Sequence, residues 1–491
     1  MMRRIVIGLV LALTFVADTQ AKQRLNVVLI LVDDMGWMDL GCQGSKFYET
    51  PHIDRLAKQG MRFDNAYAAC AVCSPTRAAV MTGRYPSRLG VTDWIRARFQ
   101  RRGRRTPASN PTKYVGGPRR KLLCPPNPFW MEHREITIAE VLRNNGYKTC
   151  HIGKWHLGDD AWFPQHQGFH LNFGGCDYGQ PPSYFDPFVN RRLKQGIPHL
   201  PGRKKGQYLT DREGEEAEKF IRENKDQPFF LYYAPYAVHT PIQAKRKVTE
   251  KYQAKKKLGL KRPAYAAMVE SVDDAVGRIL KTLADLKLAE RTLVIFTSDN
   301  GGLDRNGSPT ENAPLRSGKG YPYEGGIRVP LIVRWPGVVK PNQVSHLPVS
   351  SIDYFPTIQS AVGAEEAKAA KIDGMSLVPH LRSNGSKKLN RDSLLWHFPH
   401  YRHRPGPYSI VRQSNWKMIK YYEGPKYELY NLAKDLGESK DLAAAMPDQV
   451  KKLNQRLDQL LATTKAKLPR VNPNYRPARR NKRNRRSEKG K

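Results

Sequence analysis

A cysteine heads the stretch Cys73-Ser-Pro-Thr-Arg-Ala-Ala-Val-Met-Thr-Gly83. Ser74 is a good N-cap, and Pro75 suits the first helical position, where no backbone N–H is needed. Ala78 to Met81 propagate a helix and Gly83 is a stop signal. The Cys73 side chain is thus expected at the positive end of a short helix, with Arg77 one turn on, a setting that attracts anions and makes a thiol reactive. The competing reading is half of a disulfide. Asp33-Asp34 and Asp299-Asn300 offer hard oxygen donors of the kind a divalent cation takes, without thiolate or imidazole. His156 and His239 can move protons near neutral pH, and Lys154 and Lys319 add fixed positive charge. Singly, each has an ordinary explanation. An Asp-Asp at a strand end caps a turn, His239 before Thr-Pro is a loop histidine, and Lys319 in a Gly-rich loop is an exposed cation.

The elements around these residues share one design: a β-branched apolar run of strand length that ends abruptly in polar residues. Leu25 to Val32 ends in Asp33-Asp34, and Gly146 to Ile152 leads into Gly153-Lys-Trp-His156. Pro228 to Val238 leads into His239, and Thr292 to Ser298 ends in Asp299-Asn-Gly-Gly302. Near-continuous apolar runs suit strands buried on both faces of a mainly parallel sheet. Helical patterns between them, such as Thr137 to Asn144 and Ala264 to Leu286, predict an α/β sandwich, in which ligands bind beyond the carboxyl ends of the strands. After about Arg391 the pattern changes. Tyr408 to Arg412, Trp416 to Tyr422 and Tyr427 to Asn431 read as short antiparallel strands, followed by a helix from Pro447 to Ala462, a small α+β appendage.

At 491 residues the chain can bury a large core. Met1 to Ala21 has a positive start, an apolar stretch and a small-residue cleavage site, the pattern of a secretory signal. Its apolar run is short for a membrane span and no later segment resembles one, so a soluble periplasmic or secreted protein without stable membrane insertion is expected. Six cysteines without zinc-ribbon spacing exclude a disulfide scaffold. The net charge of +38 is concentrated in Arg96 to Lys121, which holds no acid, and in the tail from Lys465 to Lys491, whose only acid is Glu488. Such clusters imply polyanionic partners, and for the tail a solvated disordered arm is the better reading. The expected domains are 1–21 (signal), 22–390 (catalytic), 391–464 (small C-terminal subdomain) and 465–491 (basic disordered tail).

The stretch CSPTRAAVMTGR resembles the signature of the type I sulfatases. So, in the family's order, do NVVLILVDDMGWMDLGCQG, TCHIGKWHLG, VHTP, SDNGG and KGYPYEGGIRVP, over about Leu25 to Leu461. Within the family the trace is similar to the arylsulfatase A and N-acetylgalactosamine-6-sulfatase branch. The resemblance implies an alkaline-phosphatase-like sandwich and oxidation of Cys73 to formylglycine, an aldehyde whose hydrate is the nucleophile. Pro75 and Arg77 belong to what the modifying partner, a formylglycine-generating or radical sulfatase-maturing enzyme, recognises. Thr76 stands where many members have Ser. The resemblance further implies one Ca2+ held by Asp33, Asp34, Asp299 and Asn300 and touched by residue 73. Arg77 would stand beside the hydrate and Lys154 and Lys319 on sulfate oxygens. His156 would deprotonate the hydrate in the step that expels sulfate, and His239 would protonate the leaving alcohol, with a covalent sulfo-enzyme intermediate between. Ser183 and Ser317 are weak candidates for a further sulfate contact.

Arg96 to Lys121 could form a basic rim, and Trp396-His-Phe-Pro-His-Tyr401 offers aromatic faces suited to a sugar ring; the plain readings are a solvated insertion and core packing. With export, these favour a sulfated polysaccharide or oligosaccharide as the partner, with no nucleic acid expected. Two alternatives carry different chemistry. A phosphatase or phosphonate-ester hydrolase of the same superfamily is disfavoured by the oxygen-only donor set, and a sulfated-glycan-binding protein with unmodified Cys73 by its having no use for paired histidines and lysines. The sugar, the sulfate position and the oligomeric state are not written in the sequence.

Overall fold

Asn26–Val32, seven consecutive buried residues, runs through the middle of the molecule as strand β1. In this computed structural model residues 24–477 are described, except 98–106, 203, 256–261, 305–307, 365–370, 402–404 and 425. The expected signal (1–21), part of the basic segment (98–106) and residues 478–491 of the tail lie outside the described residues. The next strands are β2 (Met61–Phe63), β3 (Ala66–Tyr67), β4 (Leu122–Leu123), β5 (Lys148–Gly153), β6 (Leu171–Phe173), β7 (Phe229–Ala234) and β8 (Thr292–Ser298). They continue with β9 (Leu331–Arg334), β10 (Gln343–Ser345), β11 (Val349–Ser350) and β12 (Ser393–Phe398). The last are β13 (Tyr408–Gln413), β14 (Trp416–Tyr421), β15 (Lys426–Asn431) and β16 (Arg470–Val471).

Eight strands form one sheet in the order β10-β2-β9-β8-β1-β7-β5-β6. All neighbours in it are parallel except those of β9, which opposes both β8 and β2. Alternate residues of β1 serve two cores. Val28, Ile30 and Val32 pack with residues of helices Leu209–Glu223 and Pro263–Asp285, whereas Val27, Leu29 and Leu31 pack with those of Cys73–Thr82 and Tyr354–Val362. This is the two-faced burial that continuous apolar strands require. Local signals fix the helices: Ile138–Asn144 starts at a capping box, Thr137 accepting from the Glu140 amide while the Glu140 carboxylate accepts from that of Thr137. No helix among the described residues is long and apolar enough to cross a membrane.

The C-terminal strands form an antiparallel sheet in the order β12-β13-β14-β15. One face packs on helix Pro447–Thr463 through Val411, Met418, Leu429, Leu453 and Leu457. The other packs on Tyr67, Val72, Tyr323 and Ile327, against the segment that precedes Cys73. Inside this seam Lys417, fully buried, lies 2.9 Å from Glu324 and 2.7 Å from Glu438.

Two sequence expectations change here. Trp396 and Phe398 belong to β12 and are 2% exposed, so they are core, while His400 and Tyr401 of that aromatic run line a cavity. Residues 465–477, within the tail expected to be a solvated arm, have a defined place: β16 pairs antiparallel with β4, because a strand edge and loop carbonyls in the basic segment accept it.

Candidate active site

The register of the main sheet brings the separated motifs together. Val32 pairs with Ser298, so Asp33-Asp34 and Asp299-Asn300 leave the sheet side by side, and the Asp299 amide donates to Val32 O at 3.1 Å. Gly153 pairs with Ala234, which places Lys154 and Tyr236 to His239 on the next two strand ends. Asp33 accepts from the Val238 amide at 2.8 Å through its backbone carbonyl, closing the gap to that loop. Two glycines are required by contact. A Cβ on Gly301 would sit 1.8 Å from the Gly325 carbonyl oxygen, so the DNGG and EGG loops can pass only as bare backbone, and one on Gly179 would sit 2.7 Å from the His156 ring.

Cys73 is the first residue of helix Cys73–Thr82, whose ten residues are all buried, and Gly83 ends it at φ 67°. Ser74 does not cap it. The cap position is the extended residue Val72, and the Ser74 hydroxyl instead donates to His156 O (2.9 Å) and accepts from the Ile95 amide (2.9 Å). A tertiary use of that hydroxyl outcompeted the local one, and no spacing in the sequence announces it.

Around the Cys73 Sγ stand Lys319 Nζ at 3.3 Å, Asp33 Oδ1 at 3.7 Å and Asp34 Oδ1 at 4.0 Å. Lys154 donates to Asp33 at 2.7 Å, Lys319 to Asp34 at 2.8 Å and Arg77 Nε to Asp299 at 2.8 Å. Three carboxyl groups therefore meet three basic side chains. The Asn300 amide nitrogen donates to Asp34 Oδ1 (2.8 Å), and His239 Nε2 lies 3.5 Å from Asp34 Oδ2. His156 does not touch the sulfur; it joins through Ser74 and through Nε2, 2.8 Å from Ile95 O. Ser183 is elsewhere, its hydroxyl donating to Phe185 O and Gln243, and Ser317 offers its backbone carbonyl to Asn312. Asn312, which the sequence did not single out, braces the site by donating to both Gly302 O (3.0 Å) and Ser317 O (2.9 Å).

Electrostatics here run against simple expectation. Burial pushes the Cys73 thiol up to about 12, outweighing Lys154 and Lys319, so the helix N-terminus does not yield a reactive thiolate. Burial also raises Asp33 to about 8, opposed by Lys154. For Asp34 burial is outweighed by Lys319, His239 and Lys154, which hold it below the usual carboxylate range. Burial, then Lys319, lowers His239 to about 3, and burial, Lys154 and Arg77 hold His156 well below its ordinary value. Both imidazoles are therefore neutral at pH 7, not poised near it as their residue type suggests. His156 Nδ1 and Asn300 Oδ1 are buried without a hydrogen-bond partner. An orphaned amide oxygen beside three buried carboxylates, one of them reluctant to ionise, fits a hard divalent cation. Asp33, Asp34, Cys73 and His239 offer ligand atoms within 4.8 Å of one another.

All six cysteines are free, which removes the disulfide reading of Cys73. Residues 25–364 match the family model described as Sulfatase, and residues 318–467 match that described as N-sulphoglucosamine sulphohydrolase, C-terminal. The chain is similar to N-acetylgalactosamine-6-sulfatase of Sus scrofa, 38% identical over 76% of this chain and 68% of that protein. It is 31% identical to human arylsulfatase A over 92% of this chain and 89% of that protein. Among solved structures it is similar to Ps i-CgsB in complex with k-i-k-neocarrahexaose, with a TM-score of 0.73, 30% identity and coverage of 89% and 93% of the two chains.

Proposed function

This chain belongs to the sulfatase family and is a sulfuric ester hydrolase of alkaline-phosphatase-like fold, and on that footing we propose that it is an exported enzyme that removes sulfate from a sulfated carbohydrate, using a formylglycine made from Cys73 and one Ca2+. The observation that carries this is the meeting of Asp33, Asp34, Lys319 and Cys73 Sγ within 4.0 Å, with Arg77 and Lys154 behind them. The high thiol value agrees with a cysteine that is raw material for the maturing enzyme and not itself the nucleophile. The carbohydrate substrate is supported by the sugar-bound relative above and by a cavity lined by Arg96, Arg120, His400 and Tyr401, one wall of which packs on His156.

Asp33, Asp34, Asp299 and Asn300, with residue 73, would hold the cation. When bound, the cation polarises the sulfate ester and favours an ionised hydroxyl on the hydrated aldehyde. The chain's own groups supply the rest. Lys319 and Lys154 present ammonium groups to the sulfate oxygens, fixed in place before the substrate arrives. Arg77, anchored on Asp299 and on Lys154 O, keeps the carboxylates and the residue-73 end of the helix in register. His156, neutral and with Nδ1 unpartnered, is suited to accept the proton when sulfate leaves. His239, at the mouth beside Asp34, gains affinity for a proton as an anionic ester enters, and can then pass it to the departing alcohol.

The test is sulfate release by modified protein from sulfated galactans, fucans and glycosaminoglycan fragments, alongside phosphate and aryl sulfate esters. Release from at least one carbohydrate is expected. With the aldehyde verified by mass spectrometry, release from none of them would overturn the carbohydrate reading, and faster turnover of phosphate esters would overturn the sulfatase chemistry. Chelation is expected to lower kcat/KM about a hundredfold or more, with recovery on adding Ca2+; full activity after exhaustive chelation would remove the metal.

A further inference from the structure

A cavity of ≈ 680 Å3 is separated from the catalytic cluster by the segment that packs on His156. One wall is the segment from Asp93 to Arg96, and that wall is tied to the nucleophile region. The Ile95 amide donates to the Ser74 hydroxyl, its carbonyl pairs with His156 Nε2, and the Trp94 ring lies 6.2 Å from the His156 ring. The opposite walls come from two distant parts of the chain, the basic segment with Arg120 and the loop carrying His400 and Tyr401. The Arg120 guanidinium stacks on the Tyr401 ring at 4.6 Å, and the Tyr401 hydroxyl accepts from the Leu122 amide at 3.1 Å. Arg96 and Arg120 are exposed. Aromatic faces with planar cations at the edge are what an anionic sugar ring calls for.

The wall that carries Arg120 holds Gly116 and Gly117, whose freedom raises the entropy of ordering it, and its own backbone bonds are those between Val115 and Cys124 and from Arg120 to Gly117. The C-terminal segment adds further ones. β16 pairs with β4, and Asn472, 4% exposed, donates through Nδ2 to Gly117 O (3.1 Å) and Arg120 O (2.8 Å) and through its amide to Lys121 O (2.9 Å). The Arg470 guanidinium covers the Tyr114 ring at 4.0 Å. Resting on the carbohydrate reading above, we propose that this cavity seats the sugar residue next to the sulfated one, with that residue's own anionic group on Arg120 and Arg96, and that Arg470 to Arg476 form a clasp that fixes the Arg120 wall. Asn472 is then a positioning residue for specificity, although it lies at the far end of the chain from residue 73.

The experiment compares kcat and KM for a sulfated monosaccharide, a disaccharide and a tetrasaccharide from carrageenan and from chondroitin sulfate, with 4-nitrocatechol sulfate as the small substrate. For the polymer that is hydrolysed, KM is expected to fall between monosaccharide and disaccharide. Asn472→Ala and Arg120→Ala should each raise the tetrasaccharide KM about tenfold with kcat little changed. A chain ending at Arg476 should behave as the full chain, and one ending at Pro469 should match Asn472→Ala. Equal KM for monosaccharide and disaccharide overturns the subsite while leaving the carbohydrate reading intact. A KM rise in the chain ending at Arg476, abolished by salt, overturns the clasp in favour of non-specific attraction by the basic tail. Turnover of 4-nitrocatechol sulfate with none of the carbohydrates removes the carbohydrate reading and the subsite together. If Asn472→Ala does not fold, Arg120→Ala, at an exposed side chain, decides the subsite, and the chain ending at Pro469 decides the clasp.

Discussion

Cys73→Ala protein is expected to fold normally and to release sulfate at no more than about a thousandth of the wild-type rate. The substitution removes one buried atom from the start of a helix whose other residues keep their packing, so the cost in stability is about 1 kcal/mol. The loss of rate is large because the other candidate nucleophiles at the cluster among the described residues are already engaged. The Ser74 hydroxyl is engaged with His156 and Ile95, and the carboxylates of Asp34 and Asp299 are held by Lys319 and Arg77. Sulfate release should be measured beside thermal unfolding and the mass of the peptide carrying residue 73. A rate within tenfold of wild type from folded Cys73→Ala protein would show that residue 73 is not the nucleophile.

The second large effect is on stability. Lys417→Met is expected to cost about 3–5 kcal/mol, because it leaves Glu324 and Glu438 buried without their shared cation. Glu324 keeps Arg328 and the Tyr67 hydroxyl as partners, but Glu438 has Lys417 as its charge partner and burial already raises it to about 7. The pH dependence follows from the two signs. Glu324, which burial would raise but Lys417 above all holds below the usual 4.5, contributes stability present above pH 4.5 and lost as pH falls through its folded value. Glu438, raised, contributes stability present below 4.5 and lost as pH rises through about 7. Without Lys417 both carboxyls move up, so the deficit should be greatest above neutral pH and shrink on acidification towards pH 5. Denaturant unfolding of both proteins at pH 5 and 8 checks this, and a cost under about 1 kcal/mol at pH 8 would show the triad to be dispensable. Glu324 follows the Lys319 loop by five residues, so sulfate release should weaken along with the seam.

Much of this was legible in the sequence because it depends on burial pattern. Thr292–Ser298 is apolar enough to demand two covered faces, and the end of such a run fixes where its polar residues emerge; β8 has those same ends. What the sequence does not carry is register. Only the pairing of Val32 with Ser298 and of Gly153 with Ala234 turns four strand ends into one cluster. Asn312 and Asn472 go unmarked, and Ser74 reads as a helix cap, for a common reason: each spends its polar group on a partner at least twenty residues away or on a loop with no periodicity, so neither propensity nor spacing marks that use. Trp396 misled in the opposite direction. Its indole hydrogen-bonds to Ala68 O inside the seam, and an aromatic that packs on a distant β segment reads in one dimension like one that faces a ligand. The thiol of Cys73 shows the limit of local electrostatics, since the helix terminus and Arg77 argue for a low value while desolvation sets a high one.

The complete burial of helix Cys73–Thr82 has a consequence for biogenesis. On the formylglycine reading proposed above, an enzyme that had to grip Pro75 and Arg77 to oxidise their neighbour could not reach any of them once the sheets had closed over this helix. The conversion would then belong to the nascent or still-extended chain, and the folded molecule would keep whatever state residue 73 had at that moment. Each molecule would be committed before it is finished: one that collapsed early would stay inert for its lifetime, and a preparation's specific activity would count how often maturation won that race.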